Sequence, residues 1–448
     1  MSSFEQRILE GHAKKVLDEK LLVLSIFKGD QCIASGEGQL TTNASGRLHI
    51  AVQAESIPFI YDPATPPGQI IPDKEFWKIT AKTSDNQTFE AARLHANHFS
   101  YKVGELASAT FEPRQVKFSL APTPPSHLSF DLFFAPFEFD FFGRYCRDGI
   151  ENPVFGDNIP GAWLSVETEE AIVGLRKESE LFHCRVRSKA TGAIDLEKCA
   201  VAFLQALRFC SGIELECLAY THTTANTEDV VLLEPQTRNE RKFYPPLPRH
   251  EYEAAEKLLQ RSVVFFLQKN SSPIKTALHV CRESQKMTFP AKCLPVCSVV
   301  EGLAKYVLKE VIGGFEKLRN ELVGSVDTHR NDENRVDLEG RIMEQIQSLI
   351  KKEEIFKGKE SIWRAAKWLK INLTKDEMAA WSDLRNPLAH GRFDVDIESP
   401  TEIQDKLDQA ARVANIVNKF VLAMIGYEGT YRDYSTIDYP TCDFRFLA

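Results

Sequence analysis

The sequence lacks any long apolar run, which argues against a membrane-spanning helix. Such a helix needs roughly 18 to 20 consecutive, mostly apolar residues, and no stretch of the 448 residues provides them. The opening residues, MSSFEQRILEGHAKK, also lack the apolar core of a signal peptide. We therefore expect a cytoplasmic protein that does not contact a membrane.

Closely paired cysteines are also missing. The ten cysteines include no CxxC pair, and the closest two are Cys293 and Cys297. Structural zinc sites and redox motifs usually have such pairs. There is likewise no Walker-type phosphate loop, nucleophile elbow or HExxH motif. We expect reduced, mostly buried thiols, no metal site and no cofactor.

The chain has no excess of positive charge. It carries 55 Lys and Arg against 63 Asp and Glu, for a net charge of −8. An acidic total argues against a surface that coats polyanions, but it allows a local basic patch. The length predicts two or three domains.

Residues 1–235 predict a mostly antiparallel β module with at least one helix. Short runs rich in β-branched and aromatic residues, such as LLVLSIF, FWKITAKTS and LFHCRVRS, alternate with Gly, Pro, Asn and Asp clusters. The segment LEKCAVAFLQALRFCSG has the apolar spacing of a helix.

The pattern then changes. Residues 236–250 are charged and rich in proline, which predicts a linker. Residues 251–430 show helical periodicity and predict an all-α bundle, and residues 431–448 form a tail. The fold class is therefore α+β with several domains.

Three apolar stripes mark helices of the bundle. They are Val296, Val300, Leu303 and Val307; Leu338, Ile342, Ile346 and Leu349, started by Asp337; and Ile403, Leu407, Ala410, Ala414, Val417, Val421 and Met424. The third helix should begin with Pro400 as its first residue and end at Gly426. Its stripe is either bundle core, which we favour, or the seam of a dimer.

A proline interrupts a helical pattern in residues 381–393, WSDLRNPLAHGRF. A capping box at residues 374–377 predicts where this helix begins. Asn386 precedes a proline, which disfavours the α conformation, whereas Asn is a good N-cap and Pro a good first helical residue. The sequence thus predicts a break at Asn386, followed by one new turn that ends at Gly391.

Such a break would aim Arg385, Asn386 and His390 at one face, and this trio suits RNA cleavage. The histidine can move the proton of a 2′-hydroxyl or of the leaving oxygen. The arginine can hold a phosphate and stabilise its growing charge. The asparagine can orient either of them, and no metal is required. The alternative is an ordinary helix end without catalytic residues.

The motif Arg385-Asn386-x3-His390, at a helix end and before a long amphipathic helix, resembles the Arg-x4–6-His motif of HEPN domains. An N-terminal β-rich module followed by such a bundle is similar to the Apea-type branch of that family. The resemblance covers roughly residues 245–430 and, more loosely, the whole chain.

This resemblance implies a function. HEPN proteins are typically homodimers whose two motifs form a composite site, and many are metal-independent endoribonucleases that leave 2′,3′-cyclic phosphate and 5′-hydroxyl ends. The expected substrate is cellular RNA, with tRNA as one candidate. The Apea branch is associated with toxin-like, abortive defence of bacteria against phage. The β module would then respond to a phage-derived or other trigger and restrain the nuclease.

A second feature is the stretch of residues 351–370, which has seven basic and three acidic residues. Candidate RNA contacts, spaced three apart and interleaved with tryptophans, are Arg364, Lys367 and Lys370. The alternative is a solvated helix face with its tryptophans in the core.

Two further residues are candidates near the motif. Arg392 is suited either to a phosphate contact or to capping carbonyls at the helix end. Glu301 is predicted to contact and tune Arg385. The remaining alternative functions are a non-catalytic HEPN module that binds nucleotide, RNA or protein, and a β module that acts as the main binding domain.

Overall fold

The computed structural model describes most of the chain. The described residues are 20–28, 30–42, 48–55, 57, 76–83, 87–100, 106–113, 115–120, 129–134, 154, 163–178, 181–189, 195–215, 217–224, 228–233, 242–247, 251–268, 271–289, 291–327, 358–389, 400–436 and 438–447. In some of them only the backbone is described. The predicted helix at residues 337–349 lies outside these ranges.

The chain divides into two compact units. The first comprises Met1–Val201 and Leu215–Arg238, and the second comprises Ala202–Glu214 and Asn239–Ala448. The first unit contains a large antiparallel sheet. Six of the seven helices in the described residues lie in the C-terminal half of the chain. The fold is α+β, as the sequence predicts.

The first unit contains thirteen described strands. They are β1 (Lys20–Lys28), β2 (Gln31–Thr42), β3 (Leu48–Ala54), β4 (Trp77–Thr83), β5 (Thr88–Ser100), β6 (Ala107–Glu112), β7 (Gln115–Leu120), β8 (Ser129–Phe134), β9 (Trp163–Glu167), β10 (Ala171–Glu178), β11 (Leu181–Ser188), β12 (Cys217–Thr223) and β13 (Glu228–Leu233). In β4, buried residues alternate with more exposed ones along the strand, as expected when one face lies on the core.

The strand order is β4-β1-β2-β3-β6-β5-β7-β13-β12-β8-β11-β10-β9, with an additional pairing between β4 and β5. This pairing closes β1 to β6 into a ring, and the seven remaining strands extend the sheet from β5 through β7. Buried apolar side chains of β1 to β8, β12 and β13 form one core cluster, among them Ile26, Ile50, Ile79, Phe89 and Phe111.

The seven described helices are α1 (Leu196–Ser211), α2 (Tyr252–Leu267), α3 (Ser272–Ser284), α4 (Cys293–Asp327), α5 (Gly358–Trp368), α6 (Lys375–Ala389) and α7 (Pro400–Met424). In the second unit, α4 packs against α3, α5, α6 and α7. A hairpin of β14 (Gly429–Arg432) and β15 (Thr441–Phe444) follows α7. The second unit is therefore mainly, but not entirely, helical.

Two segments differ from expectation. Phe243 and Leu247, in the predicted linker, are buried, and the Phe243 amide donates to the Gly212 carbonyl at 2.7 Å. The predicted tail contains the hairpin, with Tyr431 and Phe444 buried. The cause is the same in both segments. Their apolar side chains, although flanked by polar residues, are buried within the second unit, and burial of apolar surface is favourable.

The last helix agrees with the sequence. α7 begins at Pro400, and Gly426 follows its end with a φ of +68°. Ala414, Val417 and Val421 are fully buried, so this part of the stripe is core, whereas Ile403 is 41% exposed. No helix among the described residues is long and apolar enough to cross a membrane.

Candidate functional site

Helix α6 positions the two described residues of the motif. Its capping box forms as predicted: the Glu377 amide donates to Thr374 Oγ1 at 3.1 Å, and the Thr374 amide donates to Glu377 Oε2 at 2.7 Å. The predicted break at Asn386 is wrong, because α6 continues without interruption to Ala389.

The continuity of α6 has a physical reason. A proline in a helix removes one backbone donor and crowds the preceding turn, but only the last turn of α6 is affected. Met378, Trp381 and Leu384 are buried and hold the helix by its apolar side. Tertiary packing therefore outweighs the local preference for a break.

Two hydrogen bonds align α6 with α4. Trp381 Nε1 donates to the Cys297 carbonyl at 3.2 Å, and Arg385 Nε donates to Glu301 Oε1 at 2.7 Å. The second bond lies four residues after the first on both helices, so the two helices run in the same direction here. Residues four apart share a helix face. The buried tryptophan thus sets the position of Arg385, and the predicted contact between Glu301 and Arg385 is present.

The thiol beside this alignment is not a nucleophile candidate. Burial raises the pKa of Cys297 well above its usual value. The side chain is therefore a neutral thiol at neutral pH, and a thiol reacts far more slowly than a thiolate.

Arg385 and Asn386 line a cleft of about 500 Å³. Its lining residues in the described part of the chain are Glu301, Lys305, Gly358, Lys359, Trp381, Ser382, Arg385 and Asn386. Three of these side chains are cationic and one is anionic, so the cleft is positively charged in a chain whose total charge is negative. Such a cleft attracts phosphate.

The ion pair in the cleft leaves Arg385 accessible. The Arg385 side chain is 33% exposed and that of Glu301 is 18% exposed. Among the described residues, only Nε of the guanidinium has a hydrogen-bond partner, so its terminal N–H groups remain available to a ligand. Asn386 is exposed, and its Nδ2 donates to Ser382 Oγ at 3.1 Å.

His390 and Arg392 lie outside the described residues, so the structure brings together only two members of the proposed trio. His390 directly follows Ala389, the last residue of α6. The two contacts pair residue 381 with 297 and residue 385 with 301. The next pair in this series would be Ala389 of α6 and Lys305 of α4. Lys305 also lines the cleft.

The candidate basic strip lies on α5 and just beyond it. Arg364 and Lys367 are exposed, and Arg364 Nε lies 2.8 Å from Glu360 Oε1. Lys370 follows the end of α5 and is exposed. Trp368 is 54% exposed, so the alternative in which both tryptophans are core residues is wrong.

Sequence reasoning missed two lysines of the cleft. Lys305 lies four residues after Glu301, so its spacing could have revealed it. Lys359 could not be found in this way, because only packing brings the start of α5 beside α6.

No protein-family model matches the chain, and no curated protein matches it. The resemblance to HEPN domains therefore depends on the motif and its sequence context. Within the described part of the chain, no group of three or more His, Cys, Asp and Glu is arranged to hold a metal ion.

Proposed function

We propose that the chain is a metal-independent endoribonuclease of the HEPN type, similar to the Apea branch. It would cleave cellular RNA, with tRNA as one candidate, in an abortive defence of bacteria against phage. The observation that carries the proposal is the positively charged cleft in which Glu301 holds Arg385, four residues from the end of α6.

In the proposed reaction, the RNA 2′-oxygen attacks the adjacent phosphorus, and the bond from phosphorus to the 5′-oxygen breaks. The products are a 2′,3′-cyclic phosphate and a 5′-hydroxyl. The 2′-hydroxyl loses a proton and the leaving 5′-oxygen gains one; His390 would make one of these two transfers and solvent the other. Arg385 would stabilise the charge on the phosphate, with help from Lys305 and Lys359.

The remaining parts of the proposal concern control and assembly. The first unit would respond to a phage-derived or other trigger and restrain the nuclease, consistent with the acidic total charge. A homodimer formed through the second unit would bring two motifs into one composite site. Both follow from the resemblance.

The test is incubation of the purified full chain with total RNA and with a tRNA pool in excess EDTA. We expect discrete fragments ending in a cyclic phosphate. Arg385→Ala and His390→Ala should each abolish cleavage without loss of the circular dichroism signal. Arg445→Ala is the matched control, because Arg445 is exposed and does not line the cleft.

Three results would count against the nuclease: fragments that both alanine variants still produce, cleavage that requires a metal, or no cleavage with or without phage components. The second candidate is a non-catalytic HEPN module that binds nucleotide, RNA or protein. It would use the same positively charged cleft, which can bind a phosphate whether or not RNA is cleaved. RNA binding without cleavage would support this alternative.

A further inference from the structure

Helix α5 exposes one polar face. Ser361, Ile362, Ala365 and Ala366 form its buried side. The exposed residues of the helix are Lys359, Glu360, Arg364, Lys367 and Trp368. Four of these five side chains are charged, so this face is not the apolar surface that a protein partner typically covers.

Trp368 is the exception on this face. It is 54% exposed, and it is the only large, exposed apolar side chain among the described residues of α5. Arg364 lies four residues before Trp368 on the same helix face. The exposed Lys367 and Lys370 are close to Trp368 along the chain, so the indole lies in a positively charged segment. Aromatic planes among cations are what single-stranded nucleic acids use, because every base can stack on them.

The backbone of Lys370 has an unusual conformation. Its φ is +56°, in the left-handed region. The Ile371 amide donates to the Ala366 carbonyl at 3.0 Å, and the Lys370 amide donates to the Lys367 carbonyl at 3.1 Å. These bonds place Lys370 at the helix-ending position where glycine is usual.

Glycines occupy the position just past the end of two other helices. Gly212 follows α1 with a φ of +69°, and Gly426 follows α7 with a φ of +68°. A lysine at this position costs conformational energy, and the Leu447 amide helps to hold it by donating to the Lys370 carbonyl at 2.6 Å. Strain of this kind is a reason to look for a function of the side chain.

The face begins at the cleft. Lys359, at the start of α5, lines the cleft beside Arg385. Trp368 is nine residues further along, which is about 14 Å along the helix axis and about half a turn around it, so the two side chains lie at opposite edges of the exposed face. A strand that leaves the cleft along α5 would pass Lys367 before it reaches Trp368. Arg364 would contribute less, because Glu360 partly neutralises it.

From these observations we infer that the exposed face of α5, with Lys370, binds single-stranded RNA and that Trp368 stacks on an unpaired base. This inference extends the proposed function, since the bound strand would enter the cleft. It also identifies the substrate class: RNA that is unpaired beside the cleaved bond. A base in a duplex cannot stack on a side chain without leaving the helix.

Binding can be tested apart from cleavage with a labelled, single-stranded 2′-O-methyl oligoribonucleotide, which has no free 2′-hydroxyl. Fluorescence anisotropy would give its affinity for the full chain at several salt concentrations. Loss of one stacked base is expected to weaken binding roughly five- to 150-fold in Trp368→Ala, and Trp368→Phe should retain most of the affinity. Lys367→Ala should reduce the slope of log affinity against log salt by about 0.7.

A matched control exists at the end of α3, where an exposed lysine also precedes an exposed large apolar residue. The pair is Lys286 and Met287. The double variant Lys286→Ala/Met287→Ala should bind as the wild type does, whereas Lys367→Ala/Trp368→Ala should not. Lys370→Gly should raise the melting temperature and still weaken binding.

A second test changes the oligonucleotide instead of the protein. When the base that stacks on Trp368 is replaced by an abasic site, wild type and Trp368→Ala should bind equally. The inference is overturned if Trp368→Ala binds with wild-type affinity, if the wild type prefers a duplex, or if it does not bind the strand. If the strand binds as expected but no RNA is cleaved, the proposed RNA-binding face of α5 stands and only the nuclease is refuted. If RNA is cleaved but the Trp368 variants bind and cleave as the wild type does, the nuclease stands and the proposed binding face is refuted.

Discussion

The ion pair between Arg385 and Glu301 decides how the arginine is presented to the cleft. Within the described part of the chain only Nε is bound, to Glu301, so the terminal N–H groups are the part of the guanidinium that can clamp a phosphate. In the proposed nuclease, Glu301 is therefore a positioning residue. Without this partner, the arginine would keep its charge, but the orientation of its guanidinium would no longer be fixed by Glu301.

For the proposed nuclease, we expect Glu301→Ala to lower kcat about 100-fold, because misplacement of the proposed catalytic arginine by about 1 Å would have an effect of that size. Glu301→Gln keeps an oxygen that accepts from Arg385 Nε, so it should retain most of the activity. The measurement is kcat on the RNA substrate, with circular dichroism as the check on folding. Equal losses in both variants would mean that the charge of Glu301 matters more than its position.

Lys370 gives a prediction about stability. Lys370→Gly should stabilise the second unit by about 1 kcal/mol, because glycine adopts the left-handed conformation without steric cost. Gly212→Ala is the opposite case, since an added Cβ would lie 2.1 Å from the Phe243 carbonyl oxygen. It should destabilise the protein. Urea unfolding of both variants checks the two signs, and a destabilised Lys370→Gly would contradict the assignment of strain.

At the scale of elements, the start of α6 is tied to α7 through a buried carboxylate. Glu377 is fully buried, and its Oε1 accepts from Lys419 Nζ and from Asn415 Nδ2, both at 2.8 Å. The same side chain completes the capping box with Thr374. One residue thus caps α6, which lines the cleft, and joins it to α7.

Glu377→Gln should destabilise the protein by about 3–5 kcal/mol, because it leaves Lys419 buried without a counter-charge. Replacing both members, as in Glu377→Gln/Lys419→Met, should restore part of the loss. Chemical denaturation of the two variants gives the comparison. If the double variant were no more stable than the single one, the loss would come from the cap and not from the charge.

Elements also show where sequence patterns fail. β2, β5 and β6 are not evident from the sequence, because glycine and alanine replace many of the β-branched residues expected in strands. In β2 this has a structural cause. An added Cβ at Gly36 would lie 2.0 Å from the Gln53 carbonyl oxygen of β3, so the glycine permits the close pairing that defines the strand.

At the scale of the whole molecule, each unit has its own buried ion network. In the first unit, Asp131 Oδ1 lies 2.6 Å from both His183 Nε2 and Arg185 Nε. Burial raises the pKa of Asp131, but the hydrogen bonds and charges of His183 and Arg185 lower it by more than burial raises it. The pKa of Asp131 is therefore below its usual value. In the second unit, the corresponding network centres on Glu377.

A lowered pKa contributes stability that is fully present above the unfolded value, about 3.9, and that is lost as pH falls through the folded value. Asp131→Asn should therefore cost about 1.5–3 kcal/mol near neutral pH and progressively less in acid. Urea unfolding of both proteins across this range would show the difference. A cost that is constant with pH would rule out ionised Asp131 as its source.

Because Asp131 and Glu377 lie in different units and share no described partner, their effects should add. Hydrogen exchange should accelerate mainly in the first unit for Asp131→Asn and mainly in the second for Glu377→Gln. Acceleration throughout the chain in either variant would show that the two units unfold as one.

The sequence by itself determined the α+β class, the capping box of α6 and the limits of α7, because alternation, helical spacing and capping residues act over a few neighbours. It also pointed to the contact between Glu301 and Arg385. Only the tertiary structure decided that α6 continues past Asn386, that Lys359 joins the cleft and that Trp368 is exposed. These outcomes depend on side chains distant in sequence, and packing between helices outweighs the local preferences that a sequence pattern records.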